Sequence, residues 1–198
     1  MPLNDMLNLA PPAAFKALQE DTERAGFMLA CEPKTGAILR TLAASKPSGR
    51  LLEIGTGTGV GSCWILDGMD SESRLTTVDK DTTVSSIAQR HLGGDKRIEF
   101  VTADAEVFLQ NVGVEQFDFI FADTFLGKFM LLDKALAALK IGGLYVIDDL
   151  LPQPGWGENH QENVDRLIAD LENRPDLILT KMNWASGLII ATRIKGTA

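Results

Sequence analysis

From Arg50 onwards, short apolar runs alternate with stretches of helical spacing. Runs rich in β-branched residues, leucine and phenylalanine predict strands at 50–54, 75–79, 97–104, 117–123 and 144–149. Unbroken apolar stretches such as FIFA and YVI are typical of strands buried on both faces. Strand and helix in alternation predict an α/β fold, with a mostly parallel sheet and helices on both faces.

The predicted helix between the last two of these strands is defined by four apolar residues on one helical face. These are Phe129, Leu132, Leu136 and Leu139. The pair Gly142–Gly143 is predicted to end that helix. The sequence therefore predicts one helix that carries these four residues and stops at the glycine pair.

The two ends of the chain have different patterns. Residues 13–46 have helical spacing and predict a helical extension over residues 1–46, ahead of an α/β core at 50–198. Near the C-terminus, a further helix precedes two apolar runs that only Ala185-Ser186 separates, which requires an antiparallel hairpin. We expect seven strands in one domain spanning residues 1–198, with one strand reversed near a sheet edge.

A glycine-rich loop, in LLEIGTGTGVGS, follows the first strand, with glycines at positions 55, 57, 59 and 61. The dinucleotide fingerprint G-x-G-x-x-G fails here, because a frame that starts at Gly55 finds Val60 at its last position. Glu53, at the head of the loop, suits a ligand with positive charge, such as the sulfonium of S-adenosylmethionine. The alternative is a glycine-rich turn without a ligand.

Two aspartates end the next strands. Asp79 lies 24 residues after Gly55 (79 − 55) and could accept both hydroxyls of a ribose, although an exposed strand end would also explain it. Asp104 could accept the amino group of an adenine whose face Ala103 or Ala105 could line. An N-cap of the following helix is an equal alternative for Asp104.

Composition excludes several classes of protein. The chain has 198 residues, a net charge of −8 and two cysteines outside any CxxC motif. Nucleic-acid binding is not expected because it requires a basic face, and a zinc site has no support. No apolar run reaches the roughly 20 residues that span a bilayer, and the N-terminus lacks the pattern of a signal peptide. We expect a cytoplasmic protein.

In this order, the glycine loop, TTVDKD, VTADAEVFL, FDFIFADTFLGKF and GGLYVIDDLLP resemble class I S-adenosylmethionine-dependent methyltransferases. More narrowly, they are similar to O-methyltransferases of the catechol and caffeoyl-CoA type, which also carry a P-x-x-G segment, here Pro33 to Gly36. The resemblance implies a Rossmann-like fold, a small-molecule acceptor and a homodimer. It implies cofactor contacts from Glu53, Gly55, Thr56, Gly57, Gly59, Asp79, Lys80, Asp104, Ala105 and Asp123.

The resemblance also implies a metal site at Asp123, Asp148 and Asp149, whose oxygen ligands suit Mg²⁺ or another divalent cation. Neighbouring side chains on a regular strand point to opposite faces. Asp148 and Asp149 can therefore bind one cation together only if the backbone bends at the end of the strand. Asp149 stands where the family has asparagine, and Leu126 stands where it has a catalytic lysine. Lys128 is the nearest lysine and is predicted to act as the base if the Gly127 loop turns it inward.

The sequence leaves three further hypotheses open. The first is a metal-free relative, in which Asp123 would be the base. The second is a non-catalytic binding protein. The third is a nucleotide-dependent oxidoreductase, which the absence of the G-x-G-x-x-G fingerprint disfavours. His160 and Trp156, beyond the paired aspartates, could contact an acceptor. His91 is expected to be solvated, and Trp184 is expected to pack in the hairpin.

Overall fold

The computed structural model describes residues 4–5, 9–153, 157 and 159–195. Its strands are β1 (Arg50–Ile54), β2 (Arg74–Asp79), β3 (Ile98–Thr102), β4 (Phe117–Ala122), β5 (Leu139–Ile147), β6 (Leu177–Met182) and β7 (Leu188–Arg193). They form one sheet in the order β3-β2-β1-β4-β5-β7-β6, in which β7 runs antiparallel to both of its neighbours and the other pairs are parallel. The predicted seven strands with one reversed near an edge are confirmed.

Helices cover both faces of the sheet. They are α1 (Phe15–Arg24), α2 (Pro33–Ala44), α3 (Val60–Gly68), α4 (Thr82–Leu92), α5 (Ala105–Asn111), α6 (Leu132–Ala138) and α7 (His160–Glu172). Helices α1 to α4 share a core with Phe119 and Phe121 of β4, whereas α5 to α7 share the opposite core with Ile120 and Ala122. This alternation explains the unbroken apolar run in β4. No helix among the described residues is long and apolar enough to cross a membrane.

The predicted helix end at Gly142–Gly143 is wrong. Helix α6 ends at Ala138, and the glycine pair lies inside β5. The physical reason is the pairing of β5 with β4, which begins at Leu139 opposite Phe117 and so ends the helix before that residue. The register shifts between Phe117 and Phe119, where β5 contains more residues than β4 and must accommodate them. Gly142 has a φ of 79°, a conformation that favours glycine.

Four strands end in register at one edge of the sheet. Ile54 pairs with Val78 on one side and with Ala122 on the other, and Ala122 pairs with Ile147. The next residue of each strand therefore lies in one row along the carboxyl edge, where open α/β sheets bind ligands. This row consists of Asp79, Gly55, Asp123 and Asp148.

The N-terminal extension is tied to the core by buried polar and aromatic contacts. Asp21 of α1 is buried and its Oδ2 lies 2.7 Å from Nε2 of His91 in α4, so the expectation of a solvated His91 is wrong. In α2, Gly36 lies directly against the indole of Trp64, where any side chain would collide with the ring. The P-x-x-G segment thus serves helix packing between α2 and α3.

Candidate functional site

The glycine loop between β1 and α3 has three residues with positive φ, each of which makes a different close approach. Gly55 has a φ of 102°, and a Cβ there would lie 2.9 Å from the carbonyl oxygen of Asp123. At Gly57 a Cβ would lie 3.2 Å from the ring of Phe27 in the extension, and at Gly59 it would meet Ala88 of α4. Only glycine satisfies both the backbone conformation and the space at Gly55 and Gly59.

The carboxylate of Asp79 organises the loop from the neighbouring strand. Its Oδ2 accepts a hydrogen bond from the backbone N–H of Gly57 at 2.8 Å, and its Oδ1 accepts one from Asp81 at 2.9 Å. Each carboxylate oxygen can accept a further hydrogen bond. Asp79 therefore both fixes the loop and retains acceptor capacity for hydroxyl groups of a ligand.

Glu53 is buried beneath the loop. Its Oε2 accepts hydrogen bonds from the hydroxyls of Ser62 and Thr77, the latter at 2.6 Å, and Thr77 is in turn hydrogen-bonded to Thr56 at 2.7 Å. Burial raises the pKa of Glu53 to about 7, against the opposing effect of these two hydroxyls. A cationic ligand in the adjacent cavity would favour the ionised carboxylate.

A cavity of about 160 Å³ lies over the loop. Six predicted cofactor residues line it, namely Glu53, Gly55, Thr56, Gly57, Asp79 and Asp123. The described lining does not include the predicted Gly59, Lys80, Asp104 or Ala105. Asp104 is the N-cap of α5, since its Oδ1 accepts from the N–H of Glu106 at 2.9 Å, and its Oδ2 lies 3.4 Å from Nζ of Lys80.

The predicted metal ligands lie together at the ends of β4 and β5. One carboxylate oxygen each from Asp123, Asp148 and Asp149 lies within 4.8 Å of the other two. Asp149 has a φ of 65°, which supplies the bend that joint ligation requires, and its N–H donates to Oδ1 of Asp148 at 2.8 Å. A positive φ is uncommon for aspartate and is associated with functional sites.

The electrostatics of this acid cluster favour a cation. Burial, followed by the charges of Asp148 and Asp149, raises the pKa of Asp123 well above its ordinary value. Burial and the charge of Asp149 likewise raise the pKa of Asp148 to about 6. The most distant ligands of one bound divalent cation stand about 4–5 Å apart, so these three oxygens are close enough together to form a candidate cation site.

Lys128 lines the cavity next to the acid cluster, and the described lining of that cavity does not include Leu126. The lysine is 4% exposed, and its Nζ donates to the backbone carbonyl of Asp148 at 2.9 Å. Between the two residues, Gly127 has a φ of 80° and its carbonyl accepts the hydroxyl of Tyr145. Leu126 packs against the core of the α5–α7 face. The sequence hypothesis that Gly127 lets Lys128 turn inward matches this geometry.

The cavity beside Lys128 has a volume of about 630 Å³ and shares Asp123 with the cavity over the glycine loop. Phe125 and Phe129, with ring centroids 5.1 Å apart, form part of its wall. His160, the first residue of α7, contacts the Phe129 ring edge-on at 5.8 Å. Desolvation and the nearby charge of Lys128 lower the pKa of His160.

A family model described as a methyltransferase domain matches residues 52–150, which is half of the chain. The chain belongs to the methyltransferase domain family. The match runs from β1 to the segment just beyond the acid cluster and confirms the resemblance that the motifs indicated. Both the glycine loop and the three aspartates of the methyltransferase domain lie inside it.

Relatives of known sequence and structure agree with this assignment. A Mycolicibacterium smegmatis protein provisionally named an O-methyltransferase is 32% identical over 98 residues, covering 48% of this chain and 47% of its own length. The chain thus spans about half the length of the curated relatives it matches. The O-methyltransferase TomG from Streptomyces achromogenes, solved with SAM, has a TM-score of 0.81 at 21% identity, covering 96% of this chain and 93% of its own. A Bacillus cereus O-methyltransferase solved with SAH also has a TM-score of 0.81 at 21% identity, covering 96% and 94%. These likenesses establish the fold of the methyltransferase domain as Rossmann-like.

Sequence reasoning missed two residues that line these cavities. Leu29, in the connection between α1 and α2, lines the loop cavity, the Lys128 cavity and a third cavity of about 330 Å³ beside the aspartates. Asn163 of α7 also lines the Lys128 cavity. Neither residue belongs to a motif, and only their proximity in the fold identifies them. The predicted acceptor contact Trp156 lies outside the described residues.

Proposed function

We propose that this chain transfers a methyl group from S-adenosylmethionine to a hydroxyl oxygen of a small aromatic molecule, with a divalent cation held by Asp123, Asp148 and Asp149. The observation that carries the proposal is the position of Asp123. This residue lines the cavity over the glycine loop and the larger cavity beside Lys128, and it belongs to the acid cluster. A donor and an acceptor bound in the two cavities would both lie beside Asp123.

The donor side of the site suits an adenosyl sulfonium. S-adenosylmethionine supplies an electrophilic methyl group when it is bound. Asp79 would accept the ribose hydroxyls while it holds the Gly57 N–H, and Glu53 would face the positive charge of the ligand. Gly55 lets the loop approach Asp123 closely, so that little space separates the donor cavity from the acid cluster.

The acceptor side suits a hydroxyl on a flat ring. Phe125 and Phe129 offer aromatic surface, and Asp123 and Asp149 line the same cavity. A divalent cation at the aspartates would lower the pKa of a bound hydroxyl and orient it. Lys128 would remove its proton, with Asp123 as the base in a metal-free form. Holding the reacting atoms about 3–3.5 Å apart and excluding water would supply much of the rate enhancement.

Methyl transfer is tested with S-adenosylmethionine that carries a tritiated methyl group. The acceptors are catechols and hydroxycinnamates, each with Mg²⁺, with Mn²⁺ and with EDTA. We expect label in the extracted product with either metal, and loss of label with EDTA or in Asp148→Asn. Asp67→Asn serves as the matched control, because Asp67 pairs with Arg40 away from the site, and its activity should equal that of the wild type.

Three other outcomes would each reject a different part of the proposal. Turnover that EDTA does not reduce would reject the metal and leave a metal-free methyltransferase. Binding of S-adenosylhomocysteine by calorimetry without turnover of any acceptor would favour a non-catalytic binding protein. Binding of NAD(H) without binding of S-adenosylhomocysteine would favour an oxidoreductase. The homodimer that the resemblance implies stays a prediction for sedimentation analysis.

A further inference from the structure

The turn between β6 and β7, residues 184–187, lies directly beside the acid cluster. Because β7 runs antiparallel to β5, with Ile189 paired to Ile147, this turn comes next to the residues that follow β5. Two of its residues have positive φ, Ala185 at 52° and Gly187 at 92°. The indole N–H of Trp184 donates to the carbonyl of Lys34 in α2 at 3.0 Å, so the turn is also anchored to the extension.

Backbone hydrogen bonds join this turn to the segment that carries the aspartates. The carbonyl of Ser186 accepts from the N–H groups of Leu150 at 3.0 Å and Leu151 at 2.7 Å. A Cβ at Gly187 would lie 2.8 Å from the backbone nitrogen of Leu151, so the two segments pack without space for a side chain there. The turn therefore fixes the backbone immediately after Asp149.

One side chain of the turn reaches the acid cluster itself. The hydroxyl of Ser186, which is 5% exposed, donates to Oδ1 of Asp148 at 2.5 Å. The N–H of Asp149 donates to the same oxygen. Among the described residues, the hydrogen bonds to this carboxylate thus converge on Oδ1, which leaves Oδ2 as the oxygen that is available to a ligand.

We infer that Ser186 is a positioning residue for the acid cluster: its hydroxyl holds the Asp148 carboxylate in the orientation that presents Oδ2 to a divalent cation. This inference rests on the proposed function, because it concerns the same cation. Without the hydroxyl, the carboxylate keeps only the Asp149 N–H as a hydrogen-bond donor among the described residues, and it can rotate away from the neighbouring carboxylate of Asp123. Groups that orient a metal ligand typically contribute 10–100-fold in metal affinity.

The test measures Mn²⁺ affinity by electron paramagnetic resonance on the metal-stripped chain of 198 residues. Ser186→Ala is expected to weaken Mn²⁺ binding about 10–100-fold, with the affinity for S-adenosylhomocysteine unchanged within about twofold. Ser73→Ala is the matched control, since Ser73 is also buried and its hydroxyl donates to Oδ1 of Asp70 at 2.8 Å, outside the site. It should change stability alone. If Ser186→Ala does not fold, Ser186→Cys keeps the size and offers only a weak donor, with the same loss expected.

The outcomes separate this inference from the proposed function. If the wild type binds Mn²⁺ and Ser186→Ala binds it with the same affinity, the inference is overturned, and the proposal of metal-assisted methyl transfer is unaffected. Equal losses of Mn²⁺ affinity in Ser186→Ala and Ser73→Ala would also overturn it, because the effect would then follow from reduced stability. No Mn²⁺ binding by the wild type would overturn the metal part of the proposed function and the inference together.

Discussion

Replacing Asp148 with asparagine should stabilise the metal-free protein, although it removes a proposed metal ligand. Burial and the charge of Asp149 raise the pKa of Asp148 from 3.8 to about 6. Because the folded-state pKa lies above the unfolded value, ionisation of this group opposes folding. The penalty is absent below the unfolded pKa, grows as the pH rises and is complete above the folded pKa. Asparagine keeps an oxygen that can accept the hydroxyl of Ser186, but it carries no charge.

The size of the effect follows from the two pKa values. The difference between the two pKa values lowers the free energy of unfolding by about 1.5 kcal/mol at pH 5 and by about 3 kcal/mol at pH 8. Asp148→Asn should therefore raise the free energy of unfolding by at most these amounts, and by about twice as much at pH 8 as at pH 5. Added Mg²⁺ at 100 times its Kd should stabilise the wild type by about 2.7 kcal/mol and the variant much less.

Urea unfolding of EDTA-treated protein at both pH values provides the measurement. Asp118→Asn is an opposite-sign control, because the Arg50 N–H and Lys140 outweigh burial and hold the pKa of Asp118 below its ordinary value. Asp118→Asn should therefore lower the free energy of unfolding at pH 8. A loss of stability in Asp148→Asn at pH 8, or a gain that does not change with pH, would refute the argument that ionising buried Asp148 beside Asp149 costs stability.

Three further substitutions test other parts of the account. Gly55→Ala should weaken S-adenosylhomocysteine binding at least 10-fold, as measured by calorimetry. Residue 55 has a φ of 102°, and a Cβ there would lie 2.9 Å from the Asp123 carbonyl oxygen, so the loop must move. Unchanged affinity would contradict this prediction. Lys128→Ala should lower kcat by about 10²–10⁴ with S-adenosylhomocysteine affinity unchanged, and full activity would exclude Lys128 as the base. Gly36→Ala should lower the free energy of unfolding by about 1–3 kcal/mol, because a methyl group collides with the Trp64 indole; stability equal to the wild type would show that the indole can move.

Local patterns predicted the sheet well, and long-range pairing limited the rest. The apolar run in β4 indicated a doubly buried strand because alternate residues meet different helical layers, as Ile120 and Phe121 do. The end of α6 could not be read in the same way. Leu139 continues the helical spacing, yet its pairing with Phe117 draws it into β5. Strand pairing of this kind depends on residues 22 positions apart (139 − 117) and leaves no local signal.

In the candidate site, too, local patterns predicted some features, and others depend on contacts between distant parts of the chain. Aspartates that directly follow strands were predictable, because the carboxyl ends of parallel strands share one edge. The inward direction of Lys128 depends on the turn at Gly127, and the tie from Ser186 to Asp148 joins residues 38 positions apart. Leu29 lines three cavities and yet belongs to no motif. Such residues become visible only when the chain is folded.

The most direct test of the central claim, that donor and cation meet at Asp123, uses S-adenosylmethionine with a ¹³C-labelled methyl group. Nuclear magnetic resonance would follow the bound methyl signal as Mn²⁺ is added to the protein, without an acceptor. The account predicts that the signal broadens beyond detection in the wild type and persists in Asp148→Asn. A bound methyl signal that Mn²⁺ leaves sharp in the wild type would contradict it.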